Sequence, residues 1–415
     1  MSTKNHRPAV GLALLLGIFS TLGPFTIDMY LPAFPEIADR FGTSASLVQL
    51  SLTACLLGLG IGQLVMGSLS DVRGRRGPLL IAMIGYAAAS FACALSPHIS
   101  LLIAFRFIQG FAASAGIVIS RAIARDLYNG RELTKFFSML MLVGNLGPLA
   151  APVVGSGVLA LTSWVGVFLA LGILGLYLLA MTQWRLKETL PPERRVPADI
   201  GQQLRNFASL LRNRQFAGYM LAQGVMIAGV FAYVSGTPFI YQHMYGVSPT
   251  VFALLFGSNG ISLIIGSQIV GRMSRRFSER SLLLFGLWLA GAASLAVLAA
   301  AITHGPLFTL VVPLFCFVAS IGITSTAAFT LAMESQGHMA GSAAALLGVI
   351  PFLLGSAVSP LVGIAGEDTA VPLGLIILAT SAIALLAYFG LAGKPSGSKP
   401  QDAPPSSESC TTAAH

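Results

Sequence analysis

The chain has 415 residues, of which 55% are hydrophobic and only 9% are charged, and its mean hydropathy is +0.80. A soluble domain carries about 25% charged residues, so this chain lacks the polar surface that water requires and a lipid bilayer must be its solvent. The net charge of +9 does not indicate nucleic-acid binding, because the basic residues stand in short segments between apolar runs.

The first apolar run follows a short basic start and continues from Ala9 to Leu31. A cleaved signal peptide would end its apolar core after roughly 7–15 residues, so this run is predicted to be the first transmembrane helix. Eleven further runs reach the length of about 20 residues that crosses a bilayer. The predicted spans are 9–34, 45–70, 78–96, 99–124, 135–160, 163–184, 215–241, 249–271, 281–303, 306–333, 340–365 and 370–392.

Two polar segments divide this pattern. Residues 185–214 are rich in Arg and Pro and are predicted to be a cytoplasmic central linker, while residues 393–415 are rich in Ser, Pro and Ala and are predicted to be a disordered cytoplasmic tail. The predicted fold is therefore all-α, with twelve transmembrane helices in an N-terminal six-helix bundle (1–184) and a C-terminal six-helix bundle (215–392).

The basic residues predict the orientation of the chain. Twelve spans place both termini on one side, and if that side is the cytoplasm, all but two of the 24 Lys and Arg residues fall in cytoplasmic segments. The exceptions are Arg40, on the opposite side, and Arg106, within the fourth span. Because short cytoplasmic segments are enriched in Lys and Arg, both termini are predicted to be cytoplasmic.

The two halves share a weak internal repeat. Gly67–Arg76 follows the second span and Gly271–Arg276 follows the eighth, so an arginine-rich loop occupies the second connection of each half. A duplicated six-span unit with a site near the repeat interface explains this spacing. The alternative is that any cytoplasmic loop collects arginines.

Two charges lie inside predicted spans, Asp28 in the first and Arg106 in the fourth. A charge in hydrocarbon costs roughly 2.5–3.5 kcal/mol on insertion scales and is usually retained for a function. Both are predicted to lie at a comparable depth in the outer half of the membrane. There, burial raises the proton affinity of a carboxyl group and a nearby cation lowers it. The pair is interpreted as a proton-coupling or substrate site, or alternatively as a structural salt bridge between two helices.

The loop after the second span carries a dense charge pattern. The stretch begins at Gly67, places Asp71 at the helix end, turns at Gly74, and continues with Arg75 and Arg76. An acid at a helix end beside a tight basic loop can hold a neighbouring helix in one conformation and release it in another. The stretch is therefore predicted to be a conformational clamp, with a purely topogenic loop as the alternative.

The fifth span concentrates small residues and prolines, namely Gly144, Gly147, Pro148, Pro152 and Gly155. Small residues allow close helix approach, and each proline removes a backbone donor and bends a helix. The segment is predicted to be a hinge that seals and opens between the half-bundles. Ordinary transmembrane Gly and Pro content is the alternative.

Four further residues are predicted to line a substrate cavity, with Gln109 ranked first because it stands one turn from Arg106 on the same helix face. The others are Tyr30, Asn145 and Tyr233. An interhelical hydrogen bond or an interface anchor is equally compatible with each of them. The four cysteines and six histidines form no cluster with ligand spacing, so no metal site is predicted.

Together these residues resemble the major facilitator superfamily. Gly67–Arg76 resembles its signature loop, Arg106–Gly110 its fourth-span motif linked to proton coupling, and Gly144–Gly157 its fifth-span antiporter motif, from which Ala150 and Ala151 depart. Within the superfamily, Ile27–Ala33 and Glu188–Arg195 are similar to the Bcr/CflA drug-exporter family.

The resemblance implies two six-helix bundles with pseudo-two-fold symmetry and a proton-driven multidrug antiporter of the bacterial inner membrane. It implies no cofactor beyond the proton motive force, a monomer, and small neutral or weakly polar drugs of the bicyclomycin, sulfonamide or chloramphenicol type as substrates. By carry-over, Asp28 would bind the proton with Arg106 as its coupling partner. Asp71 and Arg75 would belong to the clamp, and Gly147 and Pro148 to the antiport hinge.

Two alternatives remain open at this point. A proton-coupled transporter of a small metabolite, such as a cysteine-like amino acid, differs in substrate or in direction of flux. A membrane enzyme or receptor is disfavoured, because the histidines lie at termini or span edges and build no catalytic site, and because the loops are short. The protein is therefore predicted not to be an enzyme.

Overall fold

The computed structural model describes residues 10–195, 200–334, 336, 339–364, 366 and 368–392, and the predicted disordered tail lies outside them. Twelve helical segments within these residues are long and apolar enough to cross a membrane, which confirms the predicted count and the all-α class. The helices are α1 (Val10–Asp28), α2 (Phe34–Phe41), α3 (Ala45–Arg73), α4 (Arg76–Ala94), α5 (Ile99–Leu127), α6 (Gly130–Leu161), α7 (Trp164–Arg185), α8 (Ile200–Arg212), α9 (Arg214–Phe239), α10 (Pro249–Met273), α11 (Glu279–Ile302), α12 (Leu307–Glu334), α13 (Ala340–Val358) and α14 (Val371–Ala387).

Four spans contain a second type of helical turn. After α1, the 3₁₀ turn Leu31–Ala33 leads into α2, so the first span ends at Phe41 and not near the predicted residue 34. Pro32 stands in this turn, where it donates no backbone hydrogen bond and therefore favours the local break in the α-helix. The spans of α9, α13 and α14 are extended by the turns Ile240–Met244, Ser359–Gly363 and Tyr388–Ala392.

The spans form two bundles with the same packing pattern. In the N-terminal bundle α3 packs on α5, α4 on α7 and α1 on α6, while in the C-terminal bundle α10 packs on α12, α11 on α14 and α9 on α13. Each pair of the first set has its equivalent in the second, six spans later. The repeat predicted from two arginine-rich loops is therefore present in the architecture.

Glycines bring backbones into contact at equivalent crossings in the two bundles. Gly110 on α5 packs against the carbonyl group of Cys55 on α3, and Gly322 on α12 packs against that of Leu263 on α10, so that neither position has room for a Cβ. Close approach at small residues stabilises helix pairs in lipid. Since Gly110 is one turn from Arg106, the first crossing also fixes the position of that side chain.

The bundles meet where α3 contacts α13 and α6 contacts α10. We call the end of the molecule at which α1 begins the terminal end, and the opposite end the distal end. At the distal end Gln49 Nε2 donates to Ser235 O at 3.2 Å, and the ring centroids of Phe34 and Phe239 lie 5.8 Å apart. These contacts join the two bundles and close the distal end.

The predicted central linker contains a helix that the sequence pattern did not lead us to expect. This helix, α8, contacts both α9 and α13, and Gln203 Oε1 accepts a hydrogen bond from Ser68 Oγ of α3 at 3.1 Å. Phe207 and Leu210 stand three residues apart on one face of an amphipathic helix, and Leu210 is fully buried, whereas Leu204 near the start of the helix is 60% exposed. The linker therefore touches both bundles at the terminal end.

Candidate functional site

The guanidinium group of Arg106 is fully buried inside the N-terminal bundle and is bound by neutral groups. Nη1 donates to Gln109 Oε1 at 2.6 Å and Nη2 donates to Thr26 O at 2.9 Å. The ring of Tyr30 covers the guanidinium, with 4.0 Å from Cζ to the ring centroid. Gln109 Nε2 donates onward to Ser90 Oγ at 2.8 Å. Charge-assisted hydrogen bonds and a cation–π contact hold the cation in one geometry.

A second layer of hydroxyl groups supports this arrangement. Thr26 Oγ1 lies 2.9 Å from Tyr86 OH, and Tyr30 OH lies 3.3 Å from Ser51 Oγ. Sequence reasoning placed Gln109 near Arg106 and named Tyr30 only as a cavity residue. It missed the hydroxyl groups, because Ser, Thr and Tyr are common in spans and carry no charge signal. The network connects α1, α3, α4 and α5 around one cation.

Asp28 lies at the last position of α1 and is buried, with 6% of its surface exposed. Within the described residues, the ion pairs join Arg75 to Asp71 and Asp126 and His243 to Asp368, and none of them includes Asp28. A direct Asp28–Arg106 salt bridge, the structural alternative weighed from the sequence, is therefore not formed in this structure. The carboxyl group stands at the junction of the bundles without a cationic partner among the described residues.

The C-terminal bundle contributes Tyr233 of α9 and Asn259 of α10 to the region beyond Asp28. The turn Leu31–Ala33, which follows Asp28, contacts both of these helices. Asn259 Nδ2 donates to Tyr233 OH at 2.7 Å. The Tyr233 ring stacks on Phe256, with centroids 5.2 Å apart. A polar pair on an aromatic base thus stands on the two helices that contact the chain just after the buried acid.

The glycine-rich helix α6 packs directly beside Asp28. It runs as one helix through both Pro148 and Pro152. Gly155 lies against the carbonyl oxygen of Met29, the residue after Asp28, and Gly147 lies against Pro24 of α1. The structure therefore places two of the predicted hinge glycines at the α1 contact, whereas nothing stands within 4 Å of the Cβ position at Gly144.

Gly155→Ala is expected to destabilise the protein and slow its transport cycle. The Cβ of an alanine at this position would overlap the Met29 carbonyl oxygen. Inserting an extra carbon atom into a well-packed site typically costs about 1–3 kcal/mol. Gly157→Ala is the matched control, since its Cβ would meet nothing within 4 Å. Thermal unfolding of the two purified variants checks this, and equal unfolding temperatures would show that the α1–α6 contact is not tight.

The predicted clamp residues form a charge network at the terminal end. Arg75 Nε donates to Asp126 Oδ2 at 2.9 Å, and Nη1 bonds Asp71 and Ser70. Burial opposes the charge on Arg75, but the hydrogen bonds to Asp126 and Asp71 outweigh this effect and raise its pKa. Gly67 faces Val118 of α5. The network thus ties the loop after α3 to the end of α5.

Glu188 closes the same loop from the linker side. Its carboxylate accepts the backbone N–H groups of Arg75 at 2.8 Å and Arg76 at 3.1 Å, as well as those of the two residues that follow it. Partial burial opposes its charge, but these hydrogen bonds outweigh burial and lower its pKa. Gly74 has φ of +91° and lies against this carboxylate, so both backbone conformation and space favour glycine there. Arg76 also donates to Gln183 O at 2.9 Å.

Glu188→Gln is expected to lower stability at neutral pH by about 1 kcal/mol or less, because an amide nitrogen would replace one carboxylate oxygen that accepts a backbone N–H, while water reaches this exposed side chain and offsets part of the loss. A depressed carboxyl pKa contributes stability above the unfolded value, and this contribution is lost as pH falls through the folded pKa. The difference in free energy of unfolding between wild type and Glu188→Gln should therefore become smaller as the pH falls below about 4. Glu193→Gln, an exposed acid of the same linker, should match wild type throughout, and thermal unfolding at several pH values measures both.

The structure separates the predicted cavity residues. Tyr30 and Gln109 are fully buried and bind Arg106 inside the N-terminal bundle, whereas the Tyr233 side chain contacts Asn259 and Phe256 inside the C-terminal bundle. Asn145 lies on α6, and its side chain is outside the described part. Sequence reasoning missed the pairing of Tyr233 with Asn259, because the two residues belong to different helices and are 26 positions apart.

Twelve membrane-spanning helices in two equivalent bundles, with a buried carboxyl group where the bundles meet, define a secondary membrane transporter. The chain belongs to the Major Facilitator Superfamily, whose sequence profile matches residues 14–360. Transporters of this superfamily need no cofactor, draw on an ion gradient and are not enzymes.

Named relatives extend over nearly the whole chain. The MFS-type transporter YdgK of Bacillus subtilis is 54% identical over 392 residues, covering 93% of this chain and 97% of that protein. The bicyclomycin resistance protein homolog of Haemophilus influenzae is 31% identical over 381 residues (92% and 96%), and the chloramphenicol resistance protein of Pseudomonas aeruginosa is 31% identical over 398 residues (93% and 92%). The crystal structure of a D-xylose-proton symporter superposes with a TM-score of 0.72 at 17% identity, covering 91% of this chain and 96% of that one, which supports the fold alone.

Proposed function

We propose that this protein is a proton-coupled efflux antiporter of the bacterial inner membrane that exports small neutral or weakly polar drugs. The observation that carries the proposal is Asp28, a buried carboxyl group at the junction of the bundles with no cationic partner among the described residues. Relatives named for resistance to bicyclomycin and chloramphenicol support the substrate class. The alternative is a proton-coupled metabolite transporter that uses the same buried carboxyl group. If it imports its substrate, the substrate and the proton move in the same direction, which the experiment below measures.

The terminal end faces the cytoplasm in this proposal, because almost all Lys and Arg residues belong to that side. With the distal end open to the periplasm, Asp28 takes a proton and the drug leaves. With the distal end closed, as in this structure, an unpaired carboxylate would be costly to bury, so Asp28 holds its proton until water reaches it from the cytoplasm. Drug then binds and the bundles rock back.

Arg106 acts in this cycle as a positioning residue. Its Nη2 donates to the carbonyl group of Thr26, two residues before Asp28, so the cation fixes the backbone of α1 where the acid is presented. The hydrogen bond from Nη1 to Gln109 and the cation–π contact with the Tyr30 ring keep the guanidinium within its own bundle. The motif residue thus serves the acid through the helix backbone and not through an ion pair.

The direction of exchange tests the proposal in everted membrane vesicles. Respiration acidifies the vesicle lumen, and chloramphenicol is then added outside, on the former cytoplasmic face. An antiporter releases lumenal protons as the drug enters, which a lumenal pH-sensitive dye records, and vesicles without the protein give no release. Proton movement into the lumen together with the drug, or none with any drug of a resistance panel, contradicts antiport.

A further inference from the structure

The Tyr233–Asn259 pair leaves two hydrogen-bonding groups unused. Both residues are only 2% exposed. Asn259 donates its amide protons to Tyr233 OH and to Leu255 O at 3.2 Å, whereas its Oδ1 has no partner among the described residues. Because the Tyr233 oxygen accepts from Asn259, its own proton is free to be donated. Buried polar groups are nearly always paired, so an unpaired acceptor beside an available donor requires an explanation.

Tyr233 and Asn259 belong to helices that meet the segment following the acid. The turn Leu31–Ala33, which begins three residues beyond Asp28, contacts both α9 and α10. Tyr233 stands on α9, the helix of the C-terminal bundle that is equivalent to α1, and Asn259 stands on α10. The polar pair therefore lies on helices of the C-terminal bundle that pack against the N-terminal bundle just beyond the acid.

We propose that Tyr233 and Asn259 form the recognition site for an amide group of the exported substrate. This assignment rests on the proposed export function and names its substrate class. The Tyr233 hydroxyl donates to the carbonyl oxygen of the substrate, and Asn259 Oδ1 accepts the substrate N–H. The stack of Tyr233 on Phe256 holds the phenol in place and supplies a flat apolar surface beside it.

The chemistry of the pair selects substrates by hydrogen-bond pattern. Both groups are neutral and directional, so an uncharged secondary amide or lactam satisfies the free donor and the free acceptor together. A site built to hydrogen-bond a substrate rejects an analogue that lacks the matching group, because the buried polar atoms of the site then stay unpaired. The permanent cation ethidium offers aromatic N–H groups but no carbonyl oxygen for the Tyr233 hydroxyl, so it satisfies only one of the two free groups, and neither of these neutral groups compensates its charge.

Binding to the purified full-length protein in nanodiscs tests this assignment without a proton gradient. The probes are chloramphenicol, which carries one secondary amide, its N-methyl derivative and the permanent cation ethidium. Wild type is expected to bind the N-methyl derivative about tenfold more weakly, the factor that one hydrogen bond supplies. Asn259→Leu should weaken chloramphenicol binding by a similar factor and should no longer distinguish the two amides.

Two further variants separate the hydroxyl from general packing. Tyr233→Phe keeps the aromatic ring and should weaken both amides by about the same factor of ten. Tyr241→Phe is the matched control, since this buried phenol on the same span also has no hydrogen-bond partner among the described residues, and it should bind as wild type does. Thermal unfolding of each variant identifies any that fails to fold, and the comparison of the two amides in wild type needs no variant at all.

The outcomes distinguish this assignment from the export proposal. Equal affinity of wild type for chloramphenicol and its N-methyl derivative overturns the role of Asn259, as does tighter binding of ethidium than of either amide, or no binding of amides. If vesicles show no exchange but the amide discrimination holds, antiport falls and the site stands. If exchange occurs and the discrimination is missing, only the site assignment falls.

Discussion

Asp28→Asn is expected to abolish drug-driven proton release from everted vesicles while leaving the protein folded. Asparagine preserves the shape of the side chain but cannot bind and release a proton near neutral pH. The drug-driven proton release should therefore fall to the level of vesicles without the protein. The neutral amide is also less costly to bury than an unpaired carboxylate. The unfolding temperature of the purified variant should therefore equal or exceed that of wild type.

The control for this substitution is Asp39→Asn, which removes an exposed acid from α2, the second helix of the same span. It should exchange protons at the wild-type rate. Asp28→Glu, which retains a titratable group, should recover part of the lost exchange. If Asp28→Asn exchanges protons normally, Asp28 has no part in proton coupling, although the protein can still be an antiporter.

Arg106→Met is expected to have the largest effect on stability. Methionine fills the space but leaves Gln109 Oε1 and Thr26 O without the donors they now have. Each unpaired buried group costs about 1–3 kcal/mol, whereas removal of the buried charge, whose Nε has no partner among the described residues, offsets part of this cost. The net loss should be about 2–4 kcal/mol and should reduce the yield of folded protein in the membrane. Thermal unfolding followed by size-exclusion chromatography measures it.

Arg40→Met, at an exposed position on α2, should unfold as wild type does. The contrast between Arg106 and Asp28 is informative, because the structure gives the cation a positioning role and the acid a chemical one. An Arg106→Met protein that has wild-type stability but exchanges no protons would contradict this division of roles. It would show that Arg106 takes part directly in proton coupling.

The spans were predictable from the sequence because lipid as solvent demands about 20 apolar residues in a row. Local exceptions were not. The first span continues to Phe41 through a proline turn, and the linker folds part of its length into α8. Both depend on neighbours: the turn packs against α9 and α10, and α8 packs against α9 and α13.

The candidate site was predictable where partners are close in sequence. Asp71 and Arg75 are four residues apart and do form an ion pair. The other partners of this loop, Asp126 and Glu188, come from 51 and 113 residues away, a distance at which no spacing rule applies. Arg106 binds a backbone carbonyl and a ring where an acid was expected, because main-chain acceptors leave no trace in the sequence.

The closure at the distal end has a consequence for energetics. Two of its hydrogen bonds, Gln49 to Ser235 O and Ser46 to Pro360 O at 3.4 Å, end on backbone carbonyl groups, which water can satisfy after opening. Their net strength is then roughly 0.5–1.5 kcal/mol each. One elementary charge moved through 100 mV performs about 2.3 kcal/mol of work. The work that the membrane voltage does on one charge per turnover is therefore comparable to the free energy of these two hydrogen bonds. The turnover rate should respond to voltage even when the two compartments have equal pH.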